Sequence, residues 1–367
     1  MLINKNTYII LQYSGEPSGA EKRFIDIWKY LINKNYPVFL VTHKKISEFY
    51  TFSNSEKKFL LLFNSNKTTF LSQYFTILRF KNNIERNSII HFVNTYYPLL
   101  SFLTNSKFII SWLQPFNIFS MKYLKFRHCI LFLLGFFFSK TIDVLNPKNY
   151  YFYKKLFYFK KIYITPTSNS VDENIFSPSS KKNSIVFLGR LEKHKGINNI
   201  IEIITSLEKK LFNNNFSDKI FFYILGSGSE QNKINNFIKK NYFKNIIVQN
   251  FYSKNPNLIL NKSKIFLSLQ SSSNYPSRSL IEAMYSGCIP IITDVGDSRM
   301  MGSSKYLFYV DRKINSQKIT DLIYNIILYD NIKFTNISKH IRHDAILLFQ
   351  NKNQSKYFEK LYFKQNI

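Results

Sequence analysis

The stretch 264–299, KIFLSLQSSSNYPSRSLIEAMYSGCIPIITDVGDSR, leaves few options for the fold. An apolar run over 265–269 has the length and composition of a buried strand, and a Ser-rich loop holding Asn274, Tyr275 and Pro276 then turns the chain. Over 277–285 the pattern is that of a short helix. Ser277 or Ser279 caps its start, Leu280, Ile281 and Met284 form its apolar stripe, and Gly287 ends it. A second buried strand is expected over 289–293, with Pro290 near its beginning, where a missing N–H is tolerated. Strand, loop, helix, strand predicts parallel strands with a helix on one face and ligand contacts beyond the strands' carboxyl ends. The loop 271–279 stands at such an end.

That loop carries the first chemistry. N–H groups of a helix's first turn have no partner within the helix, so those around Ser277, Arg278 and Ser279 suit the oxygens of a diphosphate. Glu282 lies one turn deeper and has two readings. Its carboxylate can accept from the vicinal hydroxyls of a ribose, or it complements the helix dipole as a first-turn acid.

Asn274, seven residues, Glu282-Ala283-Met284 and then Gly287-Cys288-Ile289-Pro290 resemble the nucleotide-binding half of retaining glycosyltransferases of family 4. The resemblance implies the α/β GT-B fold, two facing Rossmann-like doubly wound domains. The family has a Glu near the donor sugar where this chain has Asn274. A branch of bacterial polysaccharide glycosyltransferases carries Asn there, so Asn274 is read as a ligand for a sugar hydroxyl, with Tyr275 beside it at the substrate.

The second domain is expected to begin with a strand over 184–188, followed by Gly189-Arg190-Leu191-Glu192-Lys193-His194-Lys195-Gly196 and a helix over 197–209. Two cations in a loop are often only solvated charge. Here Gly flanks them, with a strand before and a helix after, which favours a ligand role. The loop resembles the family's Gly-Arg-Leu…Lys-Gly element, which implies that Arg190 and Lys195 reach the donor phosphates. Arg offers a planar fork and Lys a mobile point charge. A strand over 221–225 ends in Gly226-Ser227-Gly228, and another is expected over 246–250; the resemblance puts the nucleobase near these ends.

In the first domain a strand over 7–12, a Gly-containing loop over 15–19 and a helix over 20–33 open the chain. Ser18-Gly19-Ala20-Glu21 resembles the family's loop that approaches the donor diphosphate from the opposite domain; the residues alone fit an ordinary turn equally well. Three short apolar strands follow up to Trp112. His91, at the end of one of them, is read as structural and hydrogen-bonded. Family relatives place a His after the strand ending at Trp112; this chain has Leu113 and then Gln114, which becomes the available sugar contact. Thr165 to Pro178 resembles the family's interdomain link at Val171, Asp172, Phe176 and Pro178, and Lys181-Lys182-Asn183 after it is exposed in character. The expected domains are 1–178 for the acceptor and 179–340 for the nucleotide sugar. Two helices, over 315–330 and 337–363, complete the chain, and the segment 341–367 returns to the first domain.

The net charge of +29 calls for an anionic partner, but no zinc-finger spacing, RNP-like strand or zipped basic region accompanies it, so nucleic acid is not expected. The bias to Lys, Asn, Ile, Phe and Tyr is also that of an AT-rich gene, which discounts raw lysine counts. Cys129 and Cys288 have no pairing or metal-ligand spacing, in keeping with a reducing compartment. The amino terminus lacks the pattern of a signal peptide, and the most apolar run, 129–138, is far short of the roughly 20 residues of a membrane span. Over 121–159 lysines alternate with aromatic residues and Asp143 is the only acid, which suits an anionic membrane surface; the run 130–138 also reads as a buried helix.

Together these readings predict a metal-independent enzyme without a cofactor. It moves a sugar from a nucleotide-diphosphate sugar to a glycan or lipid-linked glycan acceptor, with retention. It works in the cytoplasm at the inner face of the membrane, in surface polysaccharide biosynthesis. An inactive membrane-associated binder and a sugar-nucleotide epimerase are the alternatives.

Overall fold

The computed structural model describes residues 6–11, 19–64, 75, 78, 80–93, 107–112, 137–166, 171–273, 275–303, 305–349 and 351–363. The chain divides into two compact units, Met1–Ser170 with Gln350–Ile367, and Val171–Phe349.

Unit 1 is built on strands β1 (Thr7–Leu11), β2 (Val38–His43), β3 (Leu60–Phe63), β4 (Ile89–Val93), β5 (Lys107–Trp112), β6 (Thr141–Val144) and β7 (Lys161–Ile164). Their order is β3-β2-β1-β4-β5-β6-β7, with every pairing parallel. A parallel sheet is covered on both faces, which is why TYIIL and IIHFV are apolar almost throughout. One face packs Ile9, Leu40 and Val93 against helix α1 (Gly19–Asn33), whose Phe24, Ile27, Trp28 and Leu31 are buried. The other packs Tyr8, Ile90 and Phe92 with Tyr153 of helix α2 (Pro147–Leu156).

The final helix, Asn351–Phe363, lies on the α1 face. Its Glu359 accepts from Lys34 (3.0 Å) and Tyr36 (2.9 Å), and the Tyr36 ring stacks on Phe363. Beneath it the hydroxyl of Tyr362 bonds His91 Nδ1, and the Asp143 carboxylate accepts from Tyr357 and, at 2.6 Å, from Thr165. His91 is thus a buried residue in mid-strand, facing the helices rather than closing the strand's end.

Unit 2 contains β8 (Lys182–Leu188), helix α3 (Ile197–Asn213), β9 (Ile220–Leu225), helix α4 (Gln231–Lys240), β10 (Ile246–Phe251), β11 (Ser263–Ser268), helix α5 (Arg278–Tyr285), β12 (Ile289–Thr293), β13 (Phe308–Val310), and helices α6 (Ser316–Ile327) and α7 (Asn331–Leu348). The sheet runs β10-β9-β8-β11-β12-β13, again parallel throughout. Ile200, Ile204, Leu207 and Leu211 of α3 are fully buried, each contributing about 1.5–3 kcal/mol by leaving water.

Three local expectations change. The tail is three helices rather than two: the one expected over 337–363 breaks at Phe349, which is buried in unit 2 while the next helix belongs to unit 1. The compact units change over at 170/171 and 349/350, against the expected 178 and 340. Val171 and Phe176 join the core of unit 2, and Arg342 of α7 donates to the carbonyls of Phe176 (2.6 Å), Glu173 (2.9 Å) and Tyr285. Lys181 is part-buried instead of exposed, its ammonium donating to the carbonyls of Ser263 (2.7 Å) and Ser286 (2.6 Å).

Candidate functional site

Strand order in unit 2 reverses between β8 and β11, and the loops leaving these two strands flank the reversal, the place where doubly wound sheets bind ligands. After β8, Gly189 donates to the Leu225 carbonyl at 3.0 Å and the exposed Arg190 meets Glu192 Oε1 at 2.8 Å. The other Glu192 oxygen lies 3.0 Å from His194 Nδ1. A short turn, Lys193–Lys195, ends at Gly196 with φ +82°. A Cβ there would stand 2.2 Å from the Leu269 carbonyl oxygen, so only glycine lets this loop close against the end of β11.

Two bonds join the loops into one surface: Lys195 Nζ donates to Gln270 Oε1 at 3.2 Å, and the Ser271 N–H donates to the His194 carbonyl at 2.9 Å. Burial, and then the charge of Arg190, push the Lys195 ammonium below its ordinary pKa, with Glu192 opposing. His194 is lowered by burial and then by Lys195. Two cations disfavouring each other at a partly buried point favour any anion that neutralises both. Gly226 adjoins them. Its N–H donates to the Phe251 carbonyl at 3.1 Å, and with φ +151° its Cβ position lies 1.9 Å from the Gly189 carbonyl oxygen.

On the β11 side Ser277 is the N-cap of α5, but the expected side-chain cap is not formed; its hydroxyl lies 3.5 Å from that of Ser279. The N-cap side chain therefore leaves the first turn of α5 uncapped. Glu282 is buried, and Arg278 Nε donates to its Oε1 at 2.8 Å. No bond reaches Oε2 among the described residues. Tyr275, expected at the substrate, is buried among the apolar core residues of the unit. Asn274 and Gln114 lie outside the described residues, as does the part 121–136 of the basic and aromatic stretch 121–159. Gly19 is the first residue of α1 in unit 1.

The structure thus brings Gly189, Arg190, Lys195 and Gly226 together, and sets Ser277, Arg278, Ser279 and Glu282 at the neighbouring strand end. Sequence reasoning missed Gln270, Glu192 and His194. Gln270 had a signal, a polar residue at the carboxyl end of a buried strand; Glu192 had one in its spacing from Arg190. Among the described residues no cluster of His, Cys, Asp or Glu is placed to hold a metal ion, and no helix is long and apolar enough to cross a membrane.

Residues 170–342 match the model of a family described as Glycosyl transferases group 1. No curated protein matches the chain. Among solved structures, a glycosyltransferase from Rickettsia africae is 17% identical with a TM-score of 0.70, covering 98% of this chain and 98% of its own. Anabaena HepE in complex with UDP and glucose is 15% identical with a TM-score of 0.72, covering 97% and 99%. Sucrose-phosphate synthase from Thermosynechococcus elongatus is 11% identical with a TM-score of 0.73, covering 98% and 98%. The chain has the GT-B fold of these proteins, and its second unit carries the sequence pattern of the group 1 glycosyl transferases.

Proposed function

We propose that the protein is a retaining glycosyltransferase that takes a sugar from a nucleotide-diphosphate donor, UDP-linked in the first instance, and passes it to a glycan acceptor carried on lipid. The observation that carries this reading is the joined pair of loops after β8 and β11. Arg190 and Lys195 stand on one, and the uncapped start of α5 follows the other. HepE, bound to UDP and glucose, has the same fold.

Breaking a glycosidic bond to a diphosphate builds negative charge on the leaving oxygen and positive charge on the sugar. In this reading Arg190 and Lys195 neutralise the former, and the first N–H groups of α5 share it. Before the donor arrives, Glu192 holds Arg190 and Gln270 holds Lys195, so both cations are positioned in advance. Glu282 Oε2 takes the ribose hydroxyls while Arg278 fixes the carboxylate through Oε1. The cations take the part a divalent metal plays elsewhere, and no cofactor is required. The acceptor places the reaction at the cytoplasmic face of an anionic membrane, in surface polysaccharide biosynthesis.

The test is to incubate the protein with UDP-sugars and a lipid extract in the presence of a chelator, and to read UDP release and the anomeric configuration of the product by NMR. Release with retained configuration supports the reading. An inverted product overturns retention, and a 2-epimer formed from donor alone makes the protein an epimerase. Binding without turnover leaves the inactive binder that loss of the family's Glu at Asn274 suggests.

A further inference from the structure

One face of unit 1 combines large exposed aromatic side chains with a cluster of lysines. Helix α2 turns Tyr153 inward, and its other side and the turn that follows leave Tyr151, Phe152, Leu156, Tyr158 and Phe159 exposed. Tyr158 is 85% accessible, Tyr151 70% and Phe159 60%. Phe137, 65% accessible, belongs to the same patch: the Lys160 ammonium donates to the carbonyls of Phe137 and Ser139 and lies 5.5 Å from the Phe137 ring and 5.9 Å from that of Phe159. Lys140, Lys154, Lys155 and Lys161 are exposed beside these rings. Asp143, the sole acid over 137–171, is fully buried, so no exposed acid of this segment offsets its lysines.

We propose that this face docks on an anionic lipid bilayer, with α2 lying along the membrane plane. The proposal rests on the lipid-linked acceptor of the preceding section and names the surface that meets the lipid. Charge complementarity selects the occupant. Exposed tyrosine and phenylalanine rings favour the headgroup boundary, where an apolar body and a polar tip are both satisfied, and lysines around them meet anionic headgroups. α2 connects the carboxyl end of β6 to the amino end of β7 and so runs alongside the sheet. Through Phe137, Lys140, Tyr158 and Phe159 the patch also takes in the amino ends of β6 and β7, so docking there brings unit 1 to the bilayer that carries the lipid-linked acceptor.

The experiment is co-sedimentation of the full chain with phosphatidylglycerol-containing vesicles and with pure phosphatidylcholine vesicles. Three variants are compared with wild type: Lys154→Gln with Lys155→Gln and Lys161→Gln; Tyr151→Ser with Tyr158→Ser and Phe159→Ser; and, as a control on unit 2, Lys239→Gln with Lys240→Gln and the exposed Tyr242→Ser. Wild type should bind the anionic vesicles only, each lysine change should weaken partitioning about fivefold, and the control should bind as wild type does. Loss of the three rings should weaken partitioning about tenfold or more. Because a triple variant can fail to fold, Tyr158→Trp alone supplies a second readout, an emission blue shift on adding anionic vesicles. Calorimetry with UDP should give the wild-type affinity in every variant, which keeps failure of docking distinct from failure of the donor site. Equal binding to neutral vesicles, indifference to the unit 1 changes, an equal loss in the control, or an unshifted emission from the Tyr158→Trp variant overturns the proposal. So does self-association abolished by the ring variant without any vesicle binding, which would assign the face to a second copy of the chain.

Discussion

Glu282→Gln separates the roles this carboxylate can play. In the structure it is the partner of Arg278, at 2.8 Å, with side-chain accessibilities of 8% and 15%. Removing one member of a fully buried pair costs about 3–5 kcal/mol, whereas an exposed helical pair is worth about 0.3–0.5. Glutamine preserves an acceptor for Arg278 Nε and loses only the charge, so the expected destabilisation lies between these limits, about 1–2 kcal/mol. For a unit of this size that lowers the melting temperature by about 2–8 °C. Nucleotide affinity is the second readout. A charged acceptor under a ribose diol contributes about 1.5–3 kcal/mol more than none, so UDP should bind roughly 10-fold to 150-fold more weakly. Calorimetry with UDP and thermal unfolding with and without it measure both effects, and Arg278→Gln with the double variant closes the cycle. A lowered melting temperature with unchanged UDP affinity would refute the ribose role and leave Glu282 as the ion-pair partner and dipole complement.

Other outcomes follow from the same geometry. Arg190→Ala and Lys195→Ala should each lower turnover by about two orders of magnitude, as loss of one charge-stabilising group does, and steady-state UDP release measures this. Gly196→Ala, forced to φ +82° against the Leu269 carbonyl, should destabilise unit 2 by at least about 1–2 kcal/mol in urea unfolding, and should separate the two loops. Burial, and then the charge of Arg23, push His91 down to about 3 from an ordinary 6.5. Above pH 6.5 neither state holds the proton. Between there and 3 the unfolded chain binds it and the native state does not, so stability falls as pH falls, by up to about 1.4 kcal/mol per unit. Urea midpoints at neutral and mildly acid pH should show that slope in wild type and a flatter one in His91→Gln; equal slopes would contradict the burial argument.

Much of the fold was legible because parallel strands buried on both faces must be apolar runs, and because a glycine follows β8, β9 and the turn Lys193–Lys195. β12 falls where the sequence puts it, at 289–293, and α5 starts one residue later than expected. What stayed hidden depends on partners distant in the chain. The polar role of His91 needs Tyr362, and Asp143 needs Tyr357. Lys181 reads as a surface residue until the carbonyls of Ser263 and Ser286 converge on it. The break at Phe349 follows from the core of unit 2 claiming that ring, which no local helix preference announces. The Arg278–Glu282 pair is different, since its four-residue spacing stood in the sequence and marks neighbours on a helix. Tyr275 stands in the loop before that helix, and the burial of its ring with the core of unit 2 is set by packing that the local sequence does not show.

The central claim is that the loops after β8 and β11 hold the diphosphate of a nucleotide donor. Calorimetric titration of wild type and of Arg190→Ala/Lys195→Ala with UDP and other nucleoside diphosphates, in the presence of a chelator and with uridine as the phosphate-free reference, tests it most directly. The account predicts that at least one diphosphate binds wild type far more tightly than its nucleoside does, and that the double variant loses that advantage. Equal binding of a diphosphate by wild type and double variant, or no binding of any diphosphate by wild type, would contradict it.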